Sequence, residues 1–80
     1  MMIDEETNYY VIAQWGIAGR LAELHYARLV FDDIKGDNRP CLLLKRLVLD
    51  DGKVKIIHLD GWKDEQVDGA TIMQRAGLLG

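Results

Sequence analysis

The chain has 80 residues, 49% of them hydrophobic and 29% charged, with a formal net charge of −3. Its mass is 9.1 kDa and its mean hydropathy is −0.09. These values fit one soluble α+β-sized domain and leave no room for a second. They exclude a membrane span, which needs about 18 consecutive apolar residues.

No basic segment followed by an apolar stretch opens the chain, so the expectation is a protein without a secretory signal. A single proline and the absence of serine argue against a low-complexity chain. One cysteine, Cys41, cannot form an internal disulfide, which suits a reducing cytoplasm.

Residues 9–15 (YYVIAQW) are rich in the aromatic and β-branched types that suit a pleated surface, and predict a strand. From Gly16 the apolar positions Ile17, Leu21, Leu24, Ala27, Phe31 and Ile34 follow steps of three and four. That spacing predicts a helix over about 17–34, ending near Lys35-Gly36 with the glycine left-handed. A rival reading makes His25–Asp32 a second strand.

KGDNRP at 35–40 is a turn by composition. Two β-like runs, about 41–49 and 53–59, are then joined through Asp50-Asp51-Gly52, a strong hairpin signal. The loop has two residues or three, with Gly52 left-handed in the longer form. A C-terminal helix is expected over about 64–77, and Asp68 would cap it if it starts near Ala70.

Strand, helix, hairpin, helix is an α+β order, with the antiparallel sheet built on the hairpin. The first hairpin strand carries Leu43, Leu47 and Leu49 on one side and Leu42, Leu44 and Val48 on the other. A strand apolar on both sides needs cover on both, so two helices on one face would leave the other for a partner. A domain this small buries only about 60% of the surface its unfolded chain exposes. A second subunit, hence a homodimer, is the expected supplement.

Catalytic motifs are absent. Without serine there is no serine nucleophile, and neither glycine-rich phosphate-loop pattern occurs. Cys41 opens an aliphatic strand, where a thiol behaves as a small hydrophobe. His58 and Asp60, two apart on a strand, should share a face, but the turns already explain the neighbouring aspartates. No catalytic, metal or cofactor residue is therefore assigned.

Charge is unevenly distributed. Residues 37–59 carry Arg39, Lys45, Arg46, Lys53 and Lys55 against Asp37, Asp50 and Asp51, a local excess of positive charge between two acidic flanks. Trp15, Trp62, Tyr9, Tyr10 and Tyr26 are the interface-prone aromatics. Trp62 could equally fold back to cap the core.

The leading expectation is a non-enzymatic protein-binding module that covers a partner protein's surface, using Tyr9, Tyr10 and Trp62 with Lys45, Arg46, Lys53 and Lys55. One alternative is a nucleic-acid-binding module built on the basic hairpin. Another is a small metal- or cysteine-dependent enzyme using His58, Asp60 or Cys41. In length, mild acidity and lack of a catalytic motif, the chain is similar in kind to small phage-encoded inhibitors such as anti-CRISPR proteins. The likeness is one of profile, not of motif, and it implies inhibition by surface cover.

Overall fold

The computed structural model describes residues 6–63 and 67–79. In chain order it holds β1 (Glu6–Ala13), β2 (Gly16–Leu21), α1 (Leu24–Gly36), β3 (Cys41–Val48), β4 (Val54–Trp62) and α2 (Gly69–Arg75). The strands form one antiparallel sheet in the order β2-β1-β3-β4. The architecture is α+β, with the expected N-terminal strand, hairpin and two helices.

The element not anticipated is β2, which replaces the start of the expected 17–34 helix. Gly16 and Gly19 lie three apart, and each costs a helix about 1 kcal/mol relative to alanine. Pairing with β1 satisfies the same backbone groups without that cost. A bulge opposite Val11/Ile12 leaves Ala18 unmatched and shifts the alternation of side chains. Ile17 and Leu21, four apart and so on one side of a hypothetical helix, consequently pack on opposite faces of the sheet.

The helix that does form, α1, buries Ala27, Phe31 and Ile34 at spacings of four and three. Its expected termination by a left-handed Gly36 is displaced by two residues. Asn38 takes that conformation, with φ 60°, while the N–H groups of Asn38 and Arg39 donate back to the carbonyls of Lys35 and Ile34. The rival strand at 25–32 is absent, because only a helix brings these three side chains onto one face.

The adjoining stretches Tyr10–Ala13 and Cys41–Leu44 of the two central strands are buried on both sides, which accounts for the unbroken apolar runs there. Val11, Ala13, Cys41 and Leu43 meet α1, while Tyr10, Ile12, Leu42 and Leu44 meet Val67 and Met73. The helices therefore lie on opposite faces, each closing one half of the core. The arrangement with both helices on one face does not occur, and neither half of this core needs a second subunit to cover it.

The β3–β4 hairpin has a three-residue loop. The Leu49 N–H donates to the Lys53 carbonyl and the Gly52 N–H to that of Leu49, with Gly52 at φ 86°. Positive φ at this position is what selects glycine.

Helix α2 is shorter than expected. Its Asp68 cap accepts from the N–H of Thr71 at 3.1 Å, and the same carboxylate takes the Thr71 hydroxyl at 2.6 Å. The expected start at 64–66 lies outside the described residues. Gly77, at φ 77°, ends the helix, and Arg46 Nε donates to the Leu78 carbonyl at 2.6 Å, tying the following segment to β3.

Close approach of α2 depends on Gly69. A Cβ there would sit 2.9 Å from Leu42 Cδ1, a side chain only 2% exposed and so poorly able to yield.

Candidate protein-interaction site

The width of the sheet determines where its surface is open. Four strands about 4.8 Å apart place the outer axes roughly 14 Å from each other. A helix with its side chains is about 10–12 Å across. Helix α2, with only seven residues, therefore leaves a groove on each side.

One groove, of about 350 Å³, lies between α2 and the β1–β2 turn and is lined by Gln14, Trp15, Ile17, Ile72 and Arg75 among others. At its rim Trp15 is 59% exposed, with the Arg39 guanidinium 5.6 Å from the ring centroid. The other groove, of about 190 Å³, lies between α2 and β4 and is bounded by Leu44, Ile56, His58, Gly69, Met73 and Leu79.

The sequence-assigned partner residues are dispersed by the fold. Tyr10 is 1% exposed and belongs to the α2-side core, so it is not available as an anchor. A central strand covered on both faces leaves neither of two consecutive tyrosines free, and Tyr9 packs partly buried against the α1 side. Trp62 folds back onto that same side, with the Lys35 and Lys63 ammonium groups 5.3 and 5.7 Å from its ring.

Among the basic residues, Arg46 is held by the Leu78 carbonyl. Lys45 lies on the opposite face of β3, half-buried opposite Ile57. Lys53 and Lys55 are exposed at the start of β4.

The exposed aromatic is instead Trp15, placed by a two-residue turn between Ala13 and Gly16, which pair with each other. The helical spacing that runs on from Gly16 masks its turn position in the sequence. Tyr26 and Leu29 are likewise 52% and 62% exposed, three apart on one flank of α1.

The residues considered for catalysis do not converge. A bulge at Leu59 makes Asp60 oppose Leu43 and His58 oppose Leu44, so His58 and Asp60 emerge on opposite faces rather than sharing one. Asp60 pairs with Arg28 at 3.2 Å. Its carboxyl is held below the ordinary value of 3.8 first by the Gly61 N–H and then by Arg28. Among the described residues no three His, Cys, Asp or Glu side chains are grouped to hold a metal ion. No described helix is long and apolar enough to cross a membrane.

Cys41 is 0% exposed, and burial is the first cause that pushes its thiol above 9.0. The native protein should therefore react slowly with a thiol reagent at neutral pH and rapidly once unfolded in urea. Equal rates in the two states would show that this side chain is accessible.

Comparisons with protein-family models, curated proteins and solved structures find no match for this chain.

Proposed function

We propose that this chain is a non-enzymatic protein-binding module that acts by covering part of a partner's surface, as an inhibitor or accessory subunit. One observation carries the reading: Trp15 stands 59% exposed at a turn, stacked with Arg39, at the rim of the larger groove. Tryptophan and arginine are enriched among residues that dominate binding energy, because both bring large area with little loss of side-chain freedom per contact. Neither half of the core uses the Trp15 ring, so its exposure has no evident role in stability.

Affinity purification from the native host tests this reading. The expected result is a stoichiometric protein, with affinity reduced at least about tenfold by Trp15→Ala, a cost of about 1.4 kcal/mol. Recovery of no stoichiometric protein, or of one indifferent to Trp15→Ala, would count against the reading. Sedimentation of the purified protein separately decides whether a second copy is one of its partners.

A further inference from the structure

We infer that the free edge of β4 is a strand-addition site for an extended segment of a partner protein in which acidic and apolar residues alternate. The inference rests on the reading of this chain as a protein-binding module, and concerns a surface distinct from Trp15. Three features of one short stretch, Val54–His58, support it.

The first is the backbone. β4 is an outer strand. Leu49 and Lys53 share a ladder hydrogen bond, and Val54, Ile56 and His58 oppose Val48, Arg46 and Leu44. Alternation along an antiparallel ladder therefore turns the N–H and C=O groups of Val54, Ile56 and His58 away from β3, toward the open edge. Edge groups turned outward in this way are a template for pairing with another extended backbone.

The second is the smaller groove. Ile56 and His58 share the α2-side face of the sheet, and together with Gly69, Met73 and Leu79 they line the recess of about 190 Å³ beside that edge. An added strand would direct every second side chain toward this recess. Its apolar lining selects an aliphatic residue there.

The third is charge. Lys53 and Lys55 lie at the start of this strand and are exposed. Lys55 opposes Leu47 and so belongs to the other face of the sheet, as does Lys53, two residues before it. Intervening residues of an added strand would emerge on that face and meet these ammonium groups, which favours aspartate or glutamate.

A second copy of β4 fits less well. Antiparallel self-pairing centred on Val54–Ile56 sets Lys53 and Lys55 opposite or diagonal to their own counterparts. Self-pairing extended past His58 meets the Leu59 bulge, which breaks the register.

The test uses the full chain, isotope-labelled, with a capped synthetic peptide alternating glutamate and valine. Expected are slowed hydrogen exchange at the amides of Val54, Ile56 and His58 and affinity that falls as salt rises. About tenfold weaker binding is expected with Lys53→Glu/Lys55→Glu, and also with Ala70→Trp, since Ala70 lines the recess from an exposed position on α2 and a tryptophan there fills it. Both variants change surface residues, and their amide spectra report whether the fold is kept.

Unchanged exchange at those three amides overturns the inference, as does equal binding of a lysine–valine peptide. A thymidine oligonucleotide that binds more tightly than the peptide without protecting the amides overturns it in favour of nucleic acid. A host protein that needs Trp15 but tolerates both β4 variants leaves the protein-binding reading standing and removes this inference. Peptide binding with the expected amide protection, but no host protein captured through Trp15, supports the β4 edge as the partner site and removes the role proposed for Trp15.

Discussion

Phe31→Ala is expected to cost about 3–5 kcal/mol, as for other large aromatic truncations in cores. Stability of roughly 0.05–0.15 kcal/mol per residue gives about 4–12 kcal/mol for these 80 residues. The loss is therefore a large part of the total.

Phe31 is 1% exposed and packs among side chains from β1 and β3, so truncation opens a cavity that the rigid sheet cannot close. At roughly 4–8 °C per kcal/mol for a domain of this size, the melting temperature should fall by more than about 10 °C. Leu29→Ala, on the solvent side of the same helix and 62% exposed, should stay within about 0.5 kcal/mol. Thermal circular dichroism on both variants decides the matter. A Phe31→Ala loss below about 1 kcal/mol would mean that this ring does not anchor α1.

Removing everything after Lys63 should be still more damaging, although the four strands and α1 remain. The deletion takes away Val67 and Met73 together with the flanking Ile72 and Leu78, and uncovers Tyr10, Ile12, Leu42 and Leu44. Each fully buried side chain of this kind contributes about 1.5–3 kcal/mol relative to exposure. Even partial exposure of four approaches the whole stability of so small a domain.

The truncated chain should lose its cooperative melting transition and self-associate through the uncovered face, with increased binding of a hydrophobic dye. A truncated protein that keeps the oligomeric state of the full chain and melts cooperatively would show that α2 is dispensable. The comparison also bears on the β4 groove, since α2 forms one of its walls. Loss of peptide binding in the truncated chain would be uninformative by itself, which is why the groove is better tested with Ala70→Trp.

The elements readable along the chain are those whose cause is local. The turn at Asp50-Asp51-Gly52 depends on one glycine's backbone freedom, and the start of α2 depends on Asp68 and Thr71 three residues apart. Helix α1 repeats apolar residues at its own period.

β2 was not readable. Its six residues include two glycines, and Ile17, four before Leu21, continues the helical spacing seamlessly into α1. Only pairing with β1, across a Gln14-Trp15 turn that lacks the residues that usually mark a hairpin, makes it a strand. The candidate site was legible in part for the same reason. Lys53 and Lys55 lie beside a turn that the sequence marks, and they are exposed. Trp15 lies at a turn the sequence did not mark, and the bulge that parts His58 from Asp60 has no local signature.

Composition, turn chemistry and apolar periodicity thus determined by themselves that this chain forms a small α+β unit with a basic hairpin and an excess of apolar strand surface. Those are properties of neighbouring residues. Only the tertiary structure decided that the excess is buried by one helix on each face, that Tyr10 is core while Trp15 is surface, and that β4 is an outer strand among those described. Each of those outcomes depends on which strands pair and where a helix too narrow for the sheet comes to rest, and no single stretch of sequence carries that information.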